Sequence, residues 1–303
     1  GLSKDIPVSQ FPAKLVLELR SLTRKYYDLT DERSAHINKL KGDLHTVFPQ
    51  YLDVFCDVTG KTSTMILRQY GTPDKILRGH KKTMIEKISK ASRKGLAKAS
   101  ERYEKLCAAA NAAKTFGCQI DSIYFNIFLT LDLVEKLDSA LDSILNRIRQ
   151  LITFNKNEKF IQQIKLLNTI PGVGFLTAVT IMCEIGDFSA FRNPKQLFAY
   201  FGLDPEVNES GKFVGTQLHM SKRGSRIARR AIFAVALASI RTKRNGEGIN
   251  PYLRKYYELK SGQKPKMVAI GAVMHKVCNI VFAVLRDEKA FELRSPEEHC
   301  KQY

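Results

Sequence analysis

A chain of 303 residues with 44% hydrophobic content has enough apolar material for one large or two ordinary domains, which excludes a disordered tail. Lys and Arg number 49 against 30 Asp and Glu, a net charge of +19 that favours nucleic acid or an anionic surface as partner. No apolar run reaches the roughly 18 residues of a membrane span, and the N-terminus from Gly1 to Asp5 lacks the pattern of a secretory signal, so the expectation is a cytoplasmic protein with no membrane partner.

The apolar pattern has the helical period nearly throughout, which predicts an all-α fold. From Phe11 to about Phe55, Leu15, Leu19, Leu22, Tyr26, Leu29, Ile37, Leu40 and Leu44 recur mostly at threes and fours, as in a long helix seeking a partner; residues 1–58 are expected to form an arm rather than a compact core. Residues 59–118 are expected to form a helical insert punctuated by Gly60, Gly71, Pro73, Gly79 and Gly95, and its basic run Lys81, Lys82, Lys87, Lys90, Arg93, Lys94 and Lys98 reads first as a solvated helix face and second as a nucleic-acid contact. A second long helix is expected within residues 119–158, with Ile127, Leu131, Val134, Leu137, Leu141, Leu145, Ile148 and Leu151 on its stripe. The two long helices can pair antiparallel in one chain or between subunits.

Residues 159–290 then read as a compact helical nucleic-acid-binding domain. The turn Ile170-Pro171-Gly172-Val173-Gly174 leaves N–H groups of the next helix open to a phosphate oxygen, in the manner of a helix-hairpin-helix corner. A helix opened by Pro194 closes near Gly202, and Asn208 to Met220 reads as a loop or short hairpin. Ser221 is the expected N-cap of a helix reaching about Arg241, which would put Lys222, Arg223, Arg226, Arg229 and Arg230 on one basic ridge, with burial beyond Ala231. Arg229 and Arg230 have an alternative role as partners of Glu184 or Asp187. The last helix, about Pro265 to Arg286, carries a core stripe of Met267, Ile270, Met274, Val277, Cys278, Val281 and Leu285, with His275 at the surface, and residues 291–303 form a tail. The six cysteines and six histidines are scattered without zinc-ligand spacing, so reduced thiols and no metal site are expected.

The order Ile170 to Gly174, Phe191 to Pro205, Glu209-Ser210-Gly211, Ser221 to Gly224 and Arg229 to Ala231 resembles the C-terminal domain of the insertion sequence 110/1111 transposases, a group that includes Piv-type DNA invertases and bridge-RNA-guided recombinases. The resemblance covers about residues 160 to 290, and the two long helices resemble the family's coiled-coil region. It implies that Ser210 is the nucleophile attacking a DNA phosphodiester, that a structured guide RNA selects the DNA, and that the protein works as a homo-oligomer, dimer or tetramer. It also implies a preceding RuvC-like domain whose four acidic residues bind Mg2+. Asp5 lies too near Phe11 to match that set, so the resemblance makes this chain a piece of a longer protein, inactive alone and without a cofactor of its own.

From the residues alone Ser210 reads as a turn serine making a local hydrogen bond; with the resemblance, the local chemistry agrees with a nucleophile there. Gly211 and Gly215 would admit a phosphate backbone, and Lys212, Lys222 and Arg223 would stabilise charge on a pentavalent phosphorus. His219 is expected to be a surface or DNA-contact residue. Gly172, Gly174, Lys212, Lys222, Arg223, Arg226, Arg229 and Arg230 are the expected DNA contacts. The expected function is a transposase or site-specific DNA recombinase; the alternative is a non-catalytic nucleic-acid-binding and oligomerisation module.

Overall fold

In a computed structural model of the chain, the described residues are 13–116, 118–206, 209–210, 213–214, 220–295 and 298. They form thirteen α-helices, a 3-10 turn at Phe188–Ala190 and one two-stranded hairpin, an all-α protein in class. The chain divides into two compact units, residues 1–25 with 144–303 and residues 26–143. The first helix, α1 (Lys14–Val47), and the seventh, α7 (Asp121–Phe154), each contribute one part to each unit.

The middle unit contains α2 (Tyr51–Val54), α3 (Lys61–Gln69), α4 (Pro73–Arg78), α5 (Lys81–Ser92) and α6 (Leu96–Phe116). The expected single helix to Phe55 stops at Val47. Pro49 supplies no N–H and pushes Phe48 away from helical backbone, so the chain restarts as α2. Leu40, Leu44 and Val47 of α1, Ile66 and Leu67 of α3, Met84 and Ile88 of α5, Leu106 and Ala110 of α6, and Ile127 and Leu131 of α7 lie in one buried cluster around Phe48 and Tyr51. The halves of the long helices in this unit therefore belong to a core instead of projecting as an arm. Arg33 of α1 pairs with Asp138 of α7 while the Tyr124 hydroxyl donates to the Val47 carbonyl, so numbering rises on one helix as it falls on the other. Of the two pairings open to the sequence, these contacts are antiparallel within one chain.

The terminal unit is built from α8 (Lys159–Leu167), α9 (Phe175–Ile185), α10 (Pro194–Tyr200), strands β1 (Glu209–Ser210) and β2 (Phe213–Val214), α11 (Arg226–Ser239), α12 (Pro251–Ser261) and α13 (Lys266–Asp287). Its core gathers Leu19 and Ile148 with apolar residues of α8 to α13. Helix α13 has the length and apolarity of a membrane span, which the sequence reading missed, but Ile270, Val273, Val277, Cys278, Val281 and Leu285 are buried as core. Met267 was expected on that stripe and is instead 65% exposed, because it lies in the first turn, ahead of Ala269, the first buried position of α13. His275 is half-buried, with its ring edge-on to Phe198 at 4.4 Å between centroids. Cys56, Cys107, Cys118, Cys183 and Cys278 are free thiols. Burial pushes the pKa of Cys183 up to about 12, which removes it from nucleophilic chemistry near neutral pH.

Candidate functional site

The turn between α8 and α9 is set by packing on α11. Gly172 has φ +98°, and a Cβ there would lie 2.5 Å from Ser239 Oγ. Ser239 at the end of α11 donates to the Pro171 carbonyl at 2.9 Å, and Ile170 and Val173 are buried on either side. The glycine at 172 is therefore required by the contact with α11. Gly174 differs: it is the N-cap of α9, no side chain caps that end, and a Cβ would meet nothing within 4 Å. Of the two glycines expected to receive a phosphate, Gly174 borders open space.

A backbone crossing carries the hairpin of Ser210. The segment after α10 runs antiparallel to the segment before α11: Pro205 bridges Met220, the Ser221 amide donates to the Asp204 carbonyl at 2.8 Å, and the Lys222 amide donates to the Gly202 carbonyl at 3.0 Å. At the crossing a Cβ on Gly224 would lie 2.0 Å from the Tyr200 carbonyl oxygen, so no side chain fits there. Arg229 reaches back from α11, and its Nη1 donates to both the Phe201 carbonyl (3.2 Å) and the Gly224 carbonyl (2.7 Å). One guanidinium thus ties both legs of the stem together. Above the stem, Glu209 pairs with Val214 and Ser210 with Phe213 in antiparallel register. Gly211, Lys212, Gly215 and His219 lie outside the described residues, and Ser210 is described by its strand pairing alone.

The expected N-cap and ridge need correction. Helix α11 begins at Arg226 with Ser225 as its cap, the hydroxyl accepting from the Ala228 amide at 3.1 Å. Ser221 instead donates its hydroxyl to Asp204 Oδ1 at 2.6 Å. Lys222 and Arg223 therefore lie in the stem, Lys222 with left-handed backbone at φ 55°, and only Arg226, Arg229 and Arg230 are helical. Gly224 was the missed signal, since a glycine in a first turn is unfavourable while the serine directly after it is a good cap. Lys222, Arg223 and Arg226 are exposed; Arg229 and Arg230 are half-buried.

Glu184 is buried, as expected of a carboxylate taken up by the fold, but its partners differ from those expected. Arg24 of α1 holds it in a two-point ion pair, Nε and Nη2 each at 2.9 Å, and Ser225 donates to Oε2 at 2.7 Å. Arg20 donates to the neighbouring Cys183 carbonyl and Tyr200 to the Glu184 carbonyl. Burial alone would raise the carboxyl pKa; Arg24 and Ser225 outweigh it and hold Glu184 below the ordinary range. One side chain thereby joins α1, α9 and the cap of the basic helix. Arg20 and Arg24 were missed because nothing in a helical stripe shows which carboxylate 160 residues away an arginine will meet. Asp187 caps the 3-10 turn through Ser189.

Among the described residues no group of three or more His, Cys, Asp or Glu side chains could hold a metal ion. The terminal unit thus has a hydrogen-bonded stem, a short hairpin that includes Ser210, and exposed cations at the base of the stem and on the first turn of α11.

Residues 164–258 match the sequence profile of the Transposase IS116/IS110/IS902 family. The chain is 23% identical over 286 residues to the insertion element IS110 uncharacterized 43.6 kDa protein of Streptomyces coelicolor, covering 93% of this chain and 66% of that protein. It is 30% identical over 177 residues to the pilin gene-inverting protein of Moraxella bovis, covering 58% of this chain and 52% of the relative. It is 26% identical over 188 residues to the transposase for insertion sequence element IS1111A of Coxiella burnetii, covering 60% and 50% respectively. The chain thus spans between half and two thirds of the length of these relatives. Residues 164–258 are thus similar to the Transposase IS116/IS110/IS902 family, and the chain is similar to proteins of the insertion elements IS110 and IS1111A.

Proposed function

We propose that this chain is the DNA-rearranging portion of an insertion-element transposase, with Ser210 as nucleophile. The observation that carries this reading is that the family match at residues 164–258 encloses the whole stem from Gly202 to Gly224 and the helix whose Arg229 ties it. Ser210 Oγ attacks the phosphorus of a phosphodiester, and one bridging oxygen of the sugar leaves and takes up a proton as a free hydroxyl end. The serine proton passes to solvent or a base. The phosphoserine bond preserves the phosphodiester's energy, so a second hydroxyl end can reverse the step and rejoin a different strand. Lys212, Lys222 and Arg223 stabilise the added charge on phosphorus, and Gly174, Arg226 and Arg230 hold the flanking backbone.

The magnesium implied by the family resemblance finds no donor set among the described residues. A structured RNA that selects target and donor, and assembly as a homo-oligomer, belong to the same reading of the full-length protein. In that protein Ser210→Ala should abolish strand cleavage while DNA affinity stays within about twofold, because a single hydroxyl adds little to a phosphate-dominated interface. Normal recombination by Ser210→Ala would remove the serine from the mechanism. Absence of any serine-linked DNA with the wild-type full-length protein would favour the non-catalytic binding module.

A further inference from the structure

The basic run of the middle unit lies outside the family match and is left unused by the recombination chemistry. Between Lys81 and Lys105 the sequence has nine cations and three acids. The structure engages two of the acids, Glu104 with Lys81 at 2.6 Å and Glu101 with Lys105 at 2.7 Å. Lys82, Lys90, Arg93, Lys94 and Lys98 are exposed and have no ion-pair partner among the described residues. Lys87 stands over the Tyr70 ring instead, at 5.6 Å.

These charges are gathered by the corner that joins α5 to α6. Helix α5 closes at Arg93 in left-handed backbone, φ 53°, and Ser89 donates its hydroxyl to the Lys94 carbonyl at 2.7 Å. That bond fixes Lys94 beside the start of α6. A cavity of about 300 Å³ opens next to the corner, lined by Lys94, Lys98, Arg102 and Lys105 together with Asp53 and Glu101. Arg102 is set over the Phe55 ring at 5.6 Å, so one wall of the cavity is a cation already positioned by the core. Along α6, Lys98, Arg102 and Lys105 recur at one-turn spacing, roughly 5–6 Å between neighbours. Such a row matches the repeated charges of a phosphate backbone better than one compact anion.

An anionic membrane surface would ask for an apolar face beside the cations. Leu96 is the one exposed large apolar side chain of the described α5 and α6. We infer that the α5–α6 corner is a second nucleic-acid-binding site, in which Lys90, Arg93, Lys94 and Lys98 follow a phosphate backbone and the adjoining cavity seats one of its phosphates. The inference rests on the chain acting on nucleic acid, but not on Ser210 as a nucleophile.

The test compares two charge-matched triple variants of the full-length protein. Lys90→Gln, Lys94→Gln and Lys98→Gln remove three cations of the corner; Lys39→Gln, Lys41→Gln and Lys136→Gln remove three exposed cations elsewhere in the same unit. Binding to a mixed-sequence DNA duplex and to an RNA hairpin is titrated across salt concentrations. The corner variant should lose at least about tenfold in affinity at low salt for one or both probes, with the slope of log affinity against log salt reduced by about three counterions, while the control variant keeps the wild-type slope. The probe whose slope falls identifies the nucleic acid. All six lysines are exposed, so melting temperatures should be unchanged. Equal slopes for the two variants with both probes, or a loss seen only on vesicles of anionic phospholipid, would overturn the site. Strand cleavage by the Ser210→Ala protein is a separate readout, so the two proposals can fail independently.

Discussion

Residues 221–230 and residues 81–98 are both dense in cations, yet the fold uses them differently. In the first stretch Arg229 donates to two backbone carbonyls, Lys222 takes part in the stem through its amide, and Ser225 connects the helix cap to the buried Glu184. In the second, Lys90, Arg93, Lys94 and Lys98 have no ion-pair partner among the described residues, and only Lys81 is paired with a carboxylate. The first stretch is a frame with charges attached; the second is a charged surface laid over a core that holds without them. Charge density in a sequence therefore does not say whether a cation supports the fold or waits for a ligand.

The sharpest way to break this comparison is at one glycine of each stretch. Gly224→Ala would force a Cβ to 2.0 Å from the Tyr200 carbonyl oxygen and open the stem, for a loss of more than about 3 kcal/mol by chemical denaturation. Gly95→Ala, where a Cβ meets nothing within 4 Å, should change stability by less than about 1 kcal/mol, because the loss of a glycine cap before α6 opposes the gain from a stiffer unfolded chain. If Gly224→Ala melts like the wild type, the crossing is not the constraint it is taken to be.

Next in size is the buried carboxylate. Glu184→Gln should cost about 2–3 kcal/mol, less than a fully buried ion pair because Arg24 is half exposed. The sign of the pH dependence follows from the direction of the shift. The folded pKa of Glu184 lies below the unfolded value of about 4.3, so its contribution is fully present above that value and is lost as pH falls through the lower folded one. Melting followed from pH 6 downward should show a steeper fall for the wild type than for Glu184→Gln; parallel curves would mean that Glu184 carries no net coupling.

Arg229→Gln comes third, at about 2 kcal/mol, since it removes two charge-assisted bonds to carbonyl groups. Its salt slope for DNA should stay at the wild-type value, whereas Lys82→Gln should leave stability within about 0.5 kcal/mol and reduce that slope by about one if the corner surface extends along α5. The carbonyl contacts make Arg229 a structural member of the expected ridge.

What was legible in the sequence followed local rules. Pro194 and Gly202 bracket α10 as expected, and the apolar stripe of α11 beyond Ala231 is buried at Ala231, Ile232, Val235 and Ala236. Helix α12 went unread although Asn250-Pro251 is a cap followed by a first-turn proline. Other features depend on distant partners: the close approach of Gly224 to the Tyr200 carbonyl, and the Arg24 to Glu184 pair, which spans 160 residues. Of the candidate site, the short hairpin was one of the readings open to residues 208–220, but the leg at residues 221–224 reads as helix and is stem. The union of the legs by Arg229 is not legible either, because an arginine on a helical wheel shows its face but not the carbonyls that face will meet.

The smallest expected effect concerns a feature the two stretches share. Each places a cation in left-handed backbone, Arg93 at φ 53° and Lys222 at φ 55°. For an L side chain this costs roughly 1 kcal/mol relative to glycine, a strain that a glycine would relieve at the same backbone shape. If the cations are there for a ligand, Arg93→Gly and Lys222→Gly should each raise stability, by about 0.5–1 kcal/mol, and each lower the salt slope of nucleic-acid binding by about one. The increase should be smaller at 222, where Gly224 and Arg229 already fix the stem and a looser residue gains less from a backbone that cannot move. A gain in stability with an unchanged slope would make the position a plain turn with an unhelpful residue. A loss of stability at Arg93 would show that its side chain supports the corner, and the contrast drawn between the two stretches would then fail at that residue.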